Sequence, residues 1–160
     1  MSTVRVGTGF DLHRLVPGRP CILGGIEIDH PTGPSGHSDG DAVLHAVTDA
    51  VLGASGGDDI GTLFPNTDDR WRGADSSLLL AEAMRHVREA GWRLGNVDIV
   101  VITEGPRIAP VREDMRRRIA TLLDVEMDQV NVKGKTVERM GALANGAGVA
   151  VQAVCLLERS

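Results

Sequence analysis

The closing stretch of the chain limits what the rest can fold into. From Gly148 to Leu157 apolar side chains fill both faces of what reads as a long strand. Val149, Val151, Ala153 and Cys155 share one face, and Ala150, Val154 and Leu156 the other; only Gln152 interrupts. Successive strand side chains point to opposite faces, so both faces must be covered. Ile99, Val100, Val101 and Ile102 repeat the pattern. Three segments have helical spacing, enough to bury one side of a four- or five-stranded sheet. No second set of helices remains for the far side. The sequence therefore predicts that another copy covers it, in a homo-oligomer.

Val4 to Leu12 reads as a strand with several glycines. Cys21-Ile22-Leu23, Gly24-Gly25 and Ile26-Glu27-Ile28 read as a hairpin or bulged pair. Pro31 to Gly36 reads as loop. A helix follows, with Ser38 or Asp39 as N-cap and Asp39 and Asp41 near its positive end. Val43, Leu44, Val47, Ala50 and Val51 recur at core spacing, leaving Asp41, His45, Thr48, Asp49 and Leu52 on the other side. Gly53 to Gly61 is a Gly-rich, acidic break, and Leu63 to Asp75 a long surface loop of the kind that often carries function. Ser76 to Ala90 reads as a helix stopped by Gly91, Val97 to Ile102 as a strand, Ile108 to Leu123 as a helix and Val130 to Val132 as a short strand. Arg116 to Arg118 reads as a solvated helix face. The 160 residues are expected to form one domain over 1–160.

A net charge of −5 argues against a general phosphate-backbone binder. With two Trp, two Phe and no Tyr, a stacking platform for single-stranded nucleic acid is not expected either. No apolar run approaches the roughly 18 residues of a membrane helix. The chain enters Val4-Arg5-Val6 with no targeting segment, so a cytoplasmic protein is expected. Cys21 and Cys155 lack C-x-x-C spacing and read as reduced core residues.

The chemistry concentrates in Gly9-Phe10-Asp11-Leu12-His13 and His37-Ser38-Asp39-Gly40-Asp41 with His45. Asp11 and His13 leave the same face of a strand, and His45 lies on the polar side of a helix. One carboxylate and two imidazoles make a three-ligand metal site with an open position, the pattern of a working zinc centre. Asp49, one turn on, could orient His45. His37 and Ser38, with free helix N–H groups, could meet an anion. Two His and one carboxylate would also suit a non-haem iron oxygenase. Lys133-Gly134-Lys135-Thr136 is no phosphate loop, because Gln129 stands where the pattern needs Gly. Lys135 and Thr136 can still hold phosphoryl oxygens, and Glu138 a hard cation. Gly105 to Pro110 joins a strand end to a helix start, a common ligand position.

These segments, with Asp59-Ile60-Gly61, Leu63-Phe64-Pro65-Asn66-Thr67-Asp68, Gly73-Ala74-Asp75-Ser76, Leu94-Gly95-Asn96-Val97-Asp98 and Val130-Asn131-Val132-Lys133, resemble the 2-C-methyl-D-erythritol 2,4-cyclodiphosphate synthase family from Val6 to Leu157. The resemblance implies an α+β two-layer sandwich: a mixed four- to five-stranded sheet with three helices on one face, packed around a threefold axis in a homotrimer. It implies active sites between subunits that close a cyclic diphosphate and release CMP from 4-diphosphocytidyl-2-C-methyl-D-erythritol 2-phosphate. Asp11, His13 and His45 would bind Zn2+, and Glu138 would contact Mg2+ or Mn2+ at the diphosphate. His37 and Thr136 would stabilise the transition state. Ser38, Asp59, Ile60, Gly61, Phe64, Pro65, Asn66, Thr67 and Asp68 would line the methylerythritol side. Thr103, Glu104, Gly105, Pro106, Arg107, Ile108 and Ala109, with Lys135 and Val137, would hold the cytidine diphosphate. Ala142 and Asn145 would close the pocket near the trimer's central channel. The family often has Asp at Asn66, a bulky residue at Ala142, Arg at Asn145 and Glu at Ala147. The departures from 142 to 147 motivate the alternative of a catalytically weakened trimeric ligand-binding homologue.

Overall fold

The computed structural model describes residues 3–159; residues 1, 2 and 160 of the expected domain lie outside them. Strand β1 (Thr3–Pro17) leads into a hairpin, β2 (Cys21–Leu23) and β3 (Ile26–Ile28), and a short β4 (Thr32–Pro34). Helix α1 (Ala42–Ser55), the single turn α2 (Ile60–Leu63) and α3 (Ser76–Glu89) follow. Strand β5 (Arg93–Ile102), helix α4 (Arg112–Leu123), β6 (Val130–Lys135) and β7 (Gly148–Arg159) complete the chain. The main sheet has the order β4-β1-β7-β5-β6; β5 and β6 run parallel and the other pairs antiparallel. It is the mixed five-stranded sheet of an α+β fold.

Side chains of β1 alternate strictly. Gly7, Gly9, Asp11, His13 and Leu15 face the helices, and Val4, Val6, Phe10 and Leu12 face outward. Glycine is required at Gly7 and Gly9 because α1 lies on them. A Cβ at Gly9 would come 1.9 Å from the Ala46 carbonyl oxygen, and one at Gly7 2.0 Å from that of Ala50. Helix α1 packs on β1 and β7, α3 on α1, and α4 beside β6. Val149, Val151, Ala153 and Cys155 are buried under this layer, and both cysteines are free thiols. The opposite sheet face is bare: Val6 is 68% exposed, Phe10 60% and Leu12 56%, next to Val154 on β7.

Several local expectations need correction. The N-cap of α1 is Asp41, not Ser38 or Asp39. Its fully buried carboxylate accepts from Val43 and Leu44 N–H and also from Gly24 and Gly25 N–H, so it ties the β2–β3 turn to the helix start. Burial pushes this carboxyl up to about 6, against those amides, which favour its ionised form. Thr48 and Leu52 are buried, because α3 covers the side of α1 that faces away from the sheet. Residues 31–36 are not all loop: β4 pairs with Leu15–Pro17 at the sheet edge, where Pro34 is tolerated. The 63–75 stretch holds a turn of 3-10 helix at Asp69–Trp71 and a buried Phe64. Residues 109–111 form a 3-10 turn, and α4 proper begins at Arg112. Arg116 is not simply solvated. It donates to the Val130 carbonyl and to that of Met127 in the turn before β6, and Arg112 to that of Val132, so the two satisfy carbonyls on the edge strand β6 and at its start.

Gly9→Ala is expected to cost about 3 kcal/mol in urea denaturation, because the new methyl meets backbone that cannot move aside alone. Gly53→Ala, exposed in α1 with nothing within 4 Å of the added Cβ, is expected to gain about 0.5–1 kcal/mol. Equal stability for Gly9→Ala and the parent would refute the close contact.

Candidate metal centre

The approach of α1 to β1 brings His45 over Asp11 and His13. Asp11 Oδ2 lies 2.8 Å from His13 Nε2 and 3.0 Å from His45 Nδ1, and the two nitrogens are 3.2 Å apart. His13 Nδ1 lies 2.6 Å from the Ser35 carbonyl, which can only accept. The single proton of a neutral His13 therefore sits on Nδ1, and Nε2 offers a lone pair to the centre. A carboxylate oxygen and an imidazole lone pair face each other there, an arrangement that a proton or a metal ion between them makes favourable. Burial would raise the Asp11 carboxyl, but hydrogen bonds and charge from His13 and His45 hold it well below the usual carboxylate range. The hydrogen bond to Asp11 raises His13 above 6.5 despite its burial. The attraction that holds a proton there can hold a metal ion. Among the described residues these three form the group of donors able to share one ion. Donors around a tetrahedral ion at about 2.0–2.1 Å are roughly 3.3 Å apart, so the observed spacing fits zinc with little adjustment.

The triad opens into a cavity of about 280 Å³, lined also by His37, Ser38, Ile60, Gly61, Phe64 and Asn66. The structure thus gathers much of the expected methylerythritol side. Asp59 instead caps α2 through Thr62 N–H, and Asp68 pairs with Arg70; neither lines the cavity, nor do Pro65 and Thr67. Asp49 does not orient His45; it accepts from Ile60 N–H at 2.8 Å and holds α2 in place. Asp41 takes the Val43 and Leu44 amides of the first turn of α1, so these two are not free for an anion. Trp71 and Leu79 also line the cavity and went unnoticed in the sequence. Trp71 stands edge-on to Phe64, 5.0 Å between ring centres. In a chain this poor in aromatics, a Trp inside a long polar loop was the available signal. His37 Nε2 and Trp71 Nε1 are buried without a protein partner, and a ligand oxygen reaching either would relieve that cost.

A second, separate cavity of about 500 Å³ gathers Thr103, Glu104, Pro106, Arg107, Ile108, Ala109, Lys135 and Thr136. Arg112, Asn131 and Lys133 line it too, unanticipated in that role. Gly105 is not among its lining residues. Two of the expected contacts have structural duties. Thr103 is buried and its hydroxyl reaches the Gly105 and Gly148 carbonyls. The Glu104 carboxylate accepts from Val137 and Arg139 N–H and shapes that turn. Glu138 is exposed, stands outside the Asp11 group, and accepts from the Thr136 hydroxyl at 2.6 Å. Val137, Ala142 and Asn145 line neither cavity. Ala142 and Asn145 belong to the 3-10 segment Gly141–Gly146, in which Asn145 takes a left-handed conformation (φ 65°).

Known proteins resemble the chain over nearly its whole length. The 2-C-methyl-D-erythritol 2,4-cyclodiphosphate synthase of Laribacter hongkongensis is 54% identical over 155 residues, 97% of this chain and 96% of that protein. A solved 2C-methyl-D-erythritol-2,4-cyclodiphosphate synthase in its CDP-bound form superposes with a TM-score of 0.88 at 43% identity, covering 96% of this chain and 99% of that one. The bifunctional IspDF of Campylobacter jejuni superposes with a TM-score of 0.96 at 38% identity; it covers all of this chain, which spans 43% of that longer protein. Residues 4–158 match the YgbB family, and the chain belongs to it.

Proposed function

We propose that this chain carries 2-C-methyl-D-erythritol 2,4-cyclodiphosphate synthase activity. It converts 4-diphosphocytidyl-2-C-methyl-D-erythritol 2-phosphate to the 2,4-cyclodiphosphate and CMP, in the non-mevalonate isoprenoid pathway, as a metal-dependent phosphorus–oxygen lyase. The observation that carries this reading is the convergence of Asp11, His13 and His45 on one point beside a cavity. Full-length relatives with that printed activity support it.

Attacker and electrophile belong to one substrate, so the protein has to position them and neutralise charge. An oxygen of the 2-phosphate attacks the β-phosphorus, the bond from that phosphorus to the bridging oxygen breaks, and CMP leaves with that oxygen. Ser38, Ile60, Gly61, Phe64 and Asn66 orient the methylerythritol end, with Asp59, Pro65, Thr67 and Asp68 shaping the surrounding loop. Residues 103–109, with Lys135 and Val137, hold the cytidine diphosphate. Ala142 and Asn145 close the end of the pocket near the trimer's central channel. His37 and Thr136 stabilise the charge that builds on the phosphoryl oxygens, Thr136 by turning its hydroxyl proton from Glu138 to one of them. Asp11, His13 and His45 would hold Zn2+, and Glu138 would contact Mg2+ or Mn2+, which needs few protein carboxylates when phosphates supply the rest. When bound, these ions supply charge neutralisation at the diphosphate oxygens.

The same reading makes the protein a homotrimer, one domain per chain, acting in the cytoplasm on a small-molecule substrate. The bare apolar face of β1 and β7 supports the assembly, because a patch of this kind marks an interaction site. So does the separation of the two cavities within one protomer, which a neighbouring subunit would bridge. Among the described residues no helix is long and apolar enough to cross a membrane.

With zinc and magnesium present, the purified protein is expected to release CMP from the diphosphocytidyl substrate, read by chromatography and phosphorus NMR. Chelation should abolish the release and added metal restore it. His45→Ala is expected to lose bound zinc and to slow release about 1,000-fold, a barrier rise of about 4 kcal/mol. Release by metal-stripped protein at the full rate would refute the metal's role. Phe10→Glu should bury a charge in the inter-subunit face, convert trimer to monomer in sedimentation, and remove activity with it. A parent protein that sediments at the mass of one chain and is fully active would exclude the shared site.

A further inference from the structure

Behind His45 lies a chain of hydrogen bonds with only one consistent direction. Ser76, fully buried at the first position of α3, places its hydroxyl 2.9 Å from His45 Nε2. On its other side the hydroxyl meets Asp39 Oδ1, and Ser76 N–H donates to Asp39 Oδ2 at 3.0 Å. The carboxylate of Asp39 can only accept, so the hydroxyl proton of Ser76 goes to it. Ser76 Oγ then faces His45 with a lone pair and must take a proton from Nε2. A neutral imidazole with its proton on Nε2 carries its lone pair on Nδ1, the atom that faces Asp11 and His13.

We propose that Asp39 and Ser76 are positioning residues: they fix the tautomer and orientation of His45, so that Nδ1 meets the metal as a ready donor. This deepens, and rests on, the metal-site reading above. Ser38 Oγ also lies 3.1 Å from His45 Nε2, but no carboxylate is bonded to it to set its direction. With Ser76 holding the imidazole proton, the Ser38 hydroxyl stays free to turn toward substrate.

The relay also joins the metal to the substrate loop. Asp39 N–H donates to the Ala74 carbonyl, and Gly73 N–H to that of His37. The last residues of the loop that carries Phe64, Asn66 and Trp71 are therefore stitched to the segment holding His37 and Ser38. Asp39 and Ser76 complete that seam from inside the protein. Second-layer partners of this kind commonly change metal affinity 10–100-fold.

Competition with a chromophoric chelator, on the full chain, measures zinc affinity. Ser76→Ala and Asp39→Asn are each expected to weaken it about 10–100-fold, and the double variant no further than the worse single one, because either change breaks the same relay. Affinity within twofold of the parent for both single variants, or fully additive losses, would overturn the proposal. If the parent itself binds no zinc, the metal-site reading fails rather than the relay. Long-range proton–nitrogen NMR on the metal-free parent supplies a test that needs no variant to fold. His45 is expected to show its proton on Nε2 when neutral, and a neutral ring protonated on Nδ1 would refute the relay.

Discussion

Everything of consequence in this protein depends on two missing side chains. Gly7 and Gly9 let the backbone of α1 lie directly on β1, with the Ala50 and Ala46 carbonyl oxygens where Cβ atoms would otherwise stand. The next residues along the same face are Asp11 and His13, and the residue before Ala46 is His45. A helix held one side-chain layer further out could not bring an imidazole within 3 Å of a strand carboxylate. The convergence of Asp11, His13 and His45 is therefore a by-product of glycine packing. Its register along the strand is set by Asp41, whose carboxylate starts the helix and holds the β2–β3 turn. One buried anion thus decides where along β1 the helix begins, and so which turn of α1 meets Asp11.

Much of this was legible from residue pattern. The D-x-H pair on a strand and a His on the following helix converge because strand alternation and helix spacing are local rules. The bare face was legible too, since three helices cannot cover two sides of a sheet. What stayed hidden was decided by long-range partners. Thr48 and Leu52 look like solvent-facing helix positions until α3, which begins more than twenty residues later, covers them. Asp39 looks like an N-cap, but its carboxylate faces α3, and Asp41 takes the capping role. Arg116 looks solvated, but the edge strand β6 presents carbonyls to which it and Arg112 donate. Ser76 sits in one of the motifs behind the resemblance but reads only as a helix start; its contact with His45 follows from how α3 docks.

The two faces of the sheet divide the work. Odd-numbered residues of β1 from Gly7 to His13 support the helix and include Asp11 and His13, two of the three groups that could hold a metal ion. Even-numbered residues from Val4 to Leu12 make an apolar surface that a lone protomer leaves in water. On the proposed reading, association buries that surface and brings one protomer's metal cavity beside its neighbour's nucleotide cavity. A one-residue slip of β1 would exchange the two sets, putting Phe10 and Leu12 under α1 and the ligands in the interface. Catalysis and assembly therefore select for the same register, from opposite sides of one strand. The glycines make this possible, since a strand able to slip would have to seat Thr8 or Phe10 against the Ala46 carbonyl, where no side chain fits.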